Sequence, residues 1–266
     1  ALPARDWTLL VHDVEKHLPA MRGLFELVPF VPDWRIDDLM ISFAAPGGGV
    51  GPHRDNYDVF LCQGIGIREW RITSDCIDDD ESASVELQLT EEFDGDRLYA
   101  ARQGDVLYLP PGIAHWGVAK SACMTYSIGM RAPDGYADPD LTEAEAQPSY
   151  LSPEARHRAG ALADDLGLIA TETKEWLQPL PPTEGELLSL LDSPAVLRRL
   201  PVHGMARLAF DDAHIYLNGS SRELEPSERP AVRELCALRR LNARIIGEIS
   251  PDLLRWLLAG GAFDTA

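Results

Sequence analysis

Cysteine is scarce in this 266-residue chain, and the four present (Cys62, Cys76, Cys123 and Cys236) are scattered. Without a repeated short spacing they make neither a disulfide framework nor a zinc ribbon, so reduced thiols in a cytoplasmic protein are expected. Basic residues are also few: 24 Lys and Arg stand against 43 Asp and Glu, for a net charge of −19. A surface of that sign argues against direct nucleic-acid binding and favours basic partners, or it serves solubility alone. No run of about eighteen apolar residues occurs, which excludes a membrane-spanning helix. Internal repeats and low-complexity tracts are lacking too. The opening, ALPARDWTLL, has no initiator Met, basic n-region or apolar h-region, and reads as a fragment or a processed end.

With 45% hydrophobic and 25% charged positions, the chain suits one large domain, or a medium domain plus a smaller one. Residues 1–30 carry apolar positions at roughly helical spacing (Leu9, Leu10, Val14, Leu18, Met21, Phe25), interrupted by Pro19. From about residue 34 the period shortens to two. Strands are expected around Leu39–Phe43, Asp58–Cys62, Glu69–Ile72, Val106–Leu109 and Met124–Ile128. The loop PGGGVGP, the turn Gly64-Ile65-Gly66 and a solvated acidic loop over Asp75–Ser82 punctuate them. Many short strands with Gly/Pro turns predict an antiparallel barrel or sandwich.

The composition changes after Arg131-Ala132-Pro133: residues 134–153 have linker character, and helices are expected over Glu154–Leu166 and Thr171–Leu177. Pro179, Pro181 and Pro182 mark a second boundary. Beyond it come a helix at Glu184–Leu191, strands at Ala206–Phe210 and Ile215–Leu217, one long amphipathic helix over Pro230–Ile249, and a last helix at Leu253–Leu258. Helix, hairpin and helix in that order resemble a winged-helix module.

The residues that carry chemistry lie in the strand-rich part. His53 and Asp55 follow the Gly-rich loop, and in extended backbone positions two apart share a face. An imidazole and a carboxylate make two-thirds of the two-His, one-carboxylate triad that suits Fe(II) and leaves positions open. His-x-Asp by itself is weak evidence, often no more than a surface pair. The stretch Gly104–His115 (GDVLYLPPGIAH) supplies the rest: a strand, a rigid proline turn, and a histidine entering the next strand, in the pattern of the second cupin motif. Three donors without a thiolate point to a catalytic ion rather than to structural zinc, and Mn or Ni would accept the same set. Arg68, in Arg68-Glu69-Trp70-Arg71-Ile72, has two readings: a fork holding a dicarboxylate inside the barrel, or an ion pair on an exposed edge.

The stretches WRIDDLMISFAAPGGGVGPHRDNYDVFLCQGIGIREWRI, GDVLYLPPGIAHWGVA and YSIGMRAP are similar to the bacterial JmjC-type ribosomal oxygenases. Within them they resemble the arginine hydroxylases of large-subunit ribosomal protein sixteen. The resemblance implies a mainly β cupin/JmjC double-stranded β-helix barrel, followed by a helical segment and a C-terminal winged-helix-like α+β module. It implies Fe(II) held by His53, Asp55 and His115, with 2-oxoglutarate as cosubstrate and O₂ as oxidant. Arg68 then takes the distal carboxylate, with Ser42 as a nearby hydroxyl donor and Ser127 lining the pocket. The implied partner is a basic ribosomal protein, and a homodimer is a family property. Asp37, Asp38, Asp58 and Tyr57 are positioned to receive a substrate arginine, or simply to serve the surface and the strands.

The corresponding domains are 1–133 (oxygenase, lacking its N-terminal part), 134–182 (helical linker and dimerisation segment) and 183–266 (winged-helix-like). The chain departs from the family in starting close to the equivalent of Trp7 and in a shorter segment after Pro133. Three other readings compete: a histidine-directed oxygenase of the same fold, a metal-binding cupin without oxygenase activity, and a DNA-binding regulator. The last would use Arg233, Arg239, Arg240 and Arg244 as a recognition surface.

Overall fold

The computed structural model describes residues 2–73, 88–89, 93–131, 149–174 and 177–265, with the backbone alone at 88–89. The expected acidic loop Asp75–Ser82, Cys76, residues 134–148 of the linker and part of the helix Thr171–Leu177 lie outside these residues. The contact pattern divides the chain into two units, Ala1–Glu15 with Ile36–Arg131, and Lys16–Arg35 with Ala132–Ala266.

The first unit is built from β1 (Thr8–Val11), β2 (Ile36–Ala44), β3 (His53–Arg54), β4 (Val59–Ile65), β5 (Ile67–Ile72), β6 (Gln88–Leu89), β7 (Arg97–Arg102), β8 (Val106–Leu109), β9 (His115–Ala119) and β10 (Cys123–Met130). They form two five-stranded sheets, ordered β1-β2-β10-β4-β8 and β6-β3-β9-β5-β7. Every pairing is antiparallel. Val59, Leu61 and Leu109 from one sheet join Trp70, Ile72 and Ala101 from the other in a single apolar cluster, so the sheets close face to face. Each expected strand is present. The helical spacing seen near the start instead gives β1, a single turn α1 (Val14–His17) and a 3-10 stretch over Pro19–Leu27. Pro19 sits where a longer helix would need an N–H.

Two glycines permit the corners that matter. Gly66, at φ +70°, turns β4 directly into β5, where an added Cβ would strike Ala122 and Cys123. In Pro110-Pro111-Gly112-Ile113, Gly112 takes φ +78° and the Ile113 N–H returns to the Pro110 carbonyl, the backbone of a type II turn.

In the second unit, α2 (Pro153–Arg158), α3 (Leu166–Thr171), α4 (Glu184–Leu191) and α5 (Pro194–Leu197) precede the sheet β11 (Leu208–Phe210), β12 (His214–Leu217) and β13 (Ser220–Glu223). The sheet is followed by α6 (Arg229–Leu238), α7 (Ala243–Glu248) and α8 (Pro251–Ala259). Local sequence sets the starts. Ser152 before Pro153 and Ser250 before Pro251 accept the N–H groups of Ala155 and Leu253, and Thr183 with Glu186 makes a capping box.

Three helix expectations are corrected. Pro230–Ile249 is two helices, because Arg239 caps α6 in the left-handed region and Asn242 starts α7. The break lets Leu241, fully buried, hydrogen-bond through its N–H to the Leu200 carbonyl. Glu154–Leu166 is α2 and a 3-10 turn at Gly160–Leu162, with Gly160 at φ +55°. The following helix occupies Leu166–Thr171, earlier than expected. Residues 16–35 join this unit through Trp34, buried with Leu151, Leu166 and Tyr216, and through Asp33, which accepts the Ser149 N–H and hydroxyl. No described helix is long and apolar enough to cross a membrane.

A polar knot ties the second unit together. Asp211 accepts the N–H groups of Ala213 and His214, both at 2.7 Å, the Tyr216 hydroxyl at 2.8 Å, and the Arg156 guanidinium. Burial works against its charge, but these donors outweigh it and hold its carboxyl below the usual carboxylate range. Burial and the Asp211 carboxylate push Tyr216 up to about 12. Asp211→Ala removes the acceptor of the Tyr216 hydroxyl and of the Ala213 and His214 N–H groups and takes the carboxylate from Arg156, so it should cost this unit about 3 kcal/mol, read as a lowered Tm by calorimetry. A depressed folded pKa stabilises above the unfolded value, so the knot contributes fully above about pH 4 and is lost as pH falls through the folded value. The alanine variant should accordingly show a shallower loss of stability in acid than the parent.

Candidate metal centre

His53 ends the Gly-rich loop as the first residue of β3, and His115 begins β9; the two face each other as a register pair. Their rings lie 4.2 Å apart between centroids. Asp55, two residues beyond His53, brings Oδ2 to 3.7 Å from Nε2 of His115. One ligand atom from each of His53, Asp55 and His115 can be chosen so that all lie within 4.8 Å of one another. The two halves are also joined through the backbone, since the Gly112 N–H of the proline turn donates to the Asp55 carbonyl at 2.9 Å.

The outer nitrogens fix the tautomers. Nδ1 of His53 lies 2.9 Å from the Gly51 carbonyl, and Nδ1 of His115 lies 3.0 Å from that of Ile113. A carbonyl only accepts, so each Nδ1 carries the proton and each Nε2 presents a lone pair inward. Burial, with His53 nearby, lowers His115 to about 4, and it is neutral at physiological pH. Asp55 is raised by burial against the opposing pull of His53. Two imidazoles, each with Nδ1 hydrogen-bonded to a carbonyl, and one desolvated carboxylate are the donor set of the two-His, one-carboxylate triad, and they fit Fe(II).

Arg68 does not lie on an exposed edge. It is 4% exposed on β5, which lies between β9 and β7, so it is neither on an edge nor on the surface. Its Nη1 donates to the Ser42 hydroxyl at 3.2 Å, while Nε and Nη2 are buried without a hydrogen-bond partner among the described residues. A buried guanidinium with two idle N–H directions fits an incoming carboxylate.

Two further polar residues were not singled out from sequence. The Ser42 hydroxyl points to the Thr125 carbonyl at 3.5 Å, and the Thr125 hydroxyl donates to Gln63 Oε1 at 3.1 Å. Gln63 Nε2 is committed to the carbonyls of Ile65 and Met124, which orients the amide. Register aligns Ser42, Thr125 and Gln63 across three strands on one face. Cross-strand register is invisible in one sequence, though the buried polar alternation Thr125, Ser127 on β10 is a signal for it. Ser127 is buried on that same face, two residues from Thr125; the hydroxyl that reaches Arg68 is that of Ser42.

The residues considered for a substrate arginine are partly engaged already. Asp37 pairs with Arg131 at 3.6 Å, Asp38 with His12 at 3.3 Å, and Asp58 accepts the Tyr108 hydroxyl at 2.5 Å. Tyr57 is exposed. Among the arginines considered for DNA, Arg239 donates to the Ala206 carbonyl and Arg244 pairs with Glu234 and Glu248. The one helix expected to carry all four is broken at Arg239.

Comparison with known proteins agrees with this architecture. A JmjC domain model matches residues 23–137, and a ROXA-like winged helix model matches residues 175–261. The chain is 31% identical over 282 aligned positions to the ribosomal protein uL16 3-hydroxylase of Escherichia coli, covering 93% of this chain and 74% of that protein. The crystal structure of E. coli YcfD superposes with a TM-score of 0.71 at 30% identity, covering 99% of this chain and 80% of that one. The ribosomal oxygenase YcfD in complex with cobalt and 2-oxoglutarate gives 0.70, again at 30% identity, with 99% and 80% covered. This chain belongs to the JmjC-domain ribosomal oxygenases that carry a ROXA-like winged helix.

Proposed function

We propose that this chain is an Fe(II)- and 2-oxoglutarate-dependent protein hydroxylase acting on an arginine side chain of large-subunit ribosomal protein sixteen. The observation that carries it is the pairing, inside one barrel, of a three-donor metal centre with a buried guanidinium that has idle N–H groups. A metal-binding cupin without a cosubstrate leaves those N–H groups unexplained.

His53, Asp55 and His115 would hold the iron through the two Nε2 atoms and a carboxylate oxygen. Arg68 and Ser42 bind the distal carboxylate of 2-oxoglutarate, and Ser127 lines the same pocket. Fe(II), 2-oxoglutarate and O₂ supply the oxidising power: one oxygen atom enters an aliphatic C–H bond, the other leaves in succinate, and CO₂ is released. The chain's own task is to orient the cosubstrate and to keep water out of a site whose members are largely buried. The net charge of −19 suits a basic substrate by steering its approach. On this reading the chain works in the cytoplasm, with 1–133 as the oxygenase domain, 134–182 pairing two copies, and 183–266 as the winged-helix module.

The test is anaerobic reconstitution with Fe(II), followed by exposure to O₂, 2-oxoglutarate and an arginine-containing peptide of the ribosomal protein. Succinate should form in step with peptide, and tandem mass spectrometry should place one added oxygen on arginine. Oxygen on a histidine instead supports the histidine-directed reading. A folded, iron-loaded protein that yields no succinate with any such peptide sinks the oxygenase assignment.

A further inference from the structure

Beyond the triad and Arg68, the inner wall of the barrel holds another idle donor. Along β5 the buried residues alternate as Arg68, Trp70 and Ile72, all facing inward. Their partners on β9 are Ala119, Gly117 and His115 in turn. Trp70 therefore stands midway between the residue proposed to hold the far carboxylate and a ligand of the metal. Its ring lies 5.6 Å from the Arg68 guanidinium carbon and 5.8 Å from the His115 ring.

Gly117 explains how an indole fits there. A Cβ at that position would sit 2.5 to 2.8 Å from Cζ3, Cη2 and Cε3 of Trp70, so the six-membered ring rests on bare backbone. Within the indole, the pyrrole nitrogen lies on the side away from that Cε3–Cζ3–Cη2 edge. Nε1 is buried and has no hydrogen-bond partner among the described residues. Buried indole N–H groups almost always find one. With Nε and Nη2 of Arg68, three idle N–H donors sit on two neighbouring inward side chains. Such a set calls for an acceptor with several oxygens lying along β5.

We infer that Trp70 is a cosubstrate-binding residue: its indole N–H donates to a carboxylate oxygen of the 2-oxo acid that Arg68 holds. The inference rests on the function proposed above and adds to it a third side chain. Trp70 fixes a carboxylate end of the acid, and Gly117 keeps the indole in place.

The test uses the full chain loaded with Zn(II), which binds without turning over, and ¹⁵N-labelled tryptophan. On saturation with 2-oxoglutarate the Trp70 indole resonance, identified by its loss in Trp70→Phe, should move downfield and exchange more slowly with solvent. By isothermal titration Trp70→Phe should bind 2-oxoglutarate roughly ten- to a hundredfold more weakly, with Zn(II) affinity retained. Gly117→Ala keeps the N–H but displaces the ring, and should weaken 2-oxoglutarate as well. If Trp70→Phe does not fold, the displaced resonance of Gly117→Ala makes the assignment and the parent titration decides. An indole resonance that stays in place while 2-oxoglutarate saturates the protein, as a water-bound donor would, overturns the inference. So does a folded Trp70→Phe with the parent's affinity. In both cases the oxygenase assignment stands. A Zn(II)-loaded parent that does not bind 2-oxoglutarate overturns both.

Discussion

His115→Ala should abolish turnover and tight Fe(II) binding together. The substitution removes one of three donors and leaves His53 and Asp55, which lie on a two-residue strand and its continuation. Loss of a residue that merely supports a ligand costs about 10–100-fold in metal affinity, and loss of the ligand itself should exceed that. Titration with Co(II), followed by its visible absorption, reads the effect without any assay of activity. The barrel should survive, because His115 is neutral and contributes one side chain at the start of β9. Retained Co(II) affinity in a folded His115→Ala protein would remove the second half of the triad.

Arg68→Met should raise the Kd for 2-oxoglutarate by about 10²–10³-fold, the worth of two or three hydrogen bonds to a charged group. Co(II) binding should be unchanged, since the guanidinium is not among the donors. Stability should hold or rise, because the substitution takes a buried cation with two unpartnered nitrogens out of the barrel. That combination separates an anion clamp from a structural ion pair, whose loss would lower Tm. Arg68→Lys should recover only part of the affinity, since an ammonium cannot fork onto a carboxylate. An unchanged Kd in Arg68→Met places the cosubstrate elsewhere.

The triad was legible because its geometry is local. Strand alternation puts His53 and Asp55 on one face, and the proline turn, with its Gly112, aims His115. What sequence could not show is register. That the Arg68 fork meets Ser42, and that Ser42 leads on to Thr125 and Gln63, depends on β2, β10 and β4 lying side by side at a particular offset. Trp70 read as an ordinary strand residue because nothing local announces that Gly117 will lie opposite it.

The helix break at Arg239 was missed for a related reason. Neither Gly nor Pro marks the position, and Arg rarely takes a left-handed conformation. The pull comes from Leu241, seated in the core and bonded to Leu200, which is tertiary information. Asn242, an N-cap residue in front of Ala243, was the one local signal available. The grouping of residues 16–35 with the second unit likewise rests on Asp33 and Trp34 meeting residues far along the chain.

The three described thiols have a practical use. Cys62 and Cys123 are buried in the first unit and Cys236 in the second, all uncombined. Burial pushes Cys62 up to about 11, and burial with nearby Asp33 pushes Cys236 to about 12. Almost no thiolate forms at Cys62 or Cys236 at neutral pH, and Cys123 is fully buried, so oxidants and alkylating reagents meet these sulfurs only when the surrounding structure opens. Each unit thus carries its own chemical clock. The order in which Cys62, Cys123 and Cys236 become alkylated in rising denaturant distinguishes barrel opening from opening of the helical unit, with no label introduced.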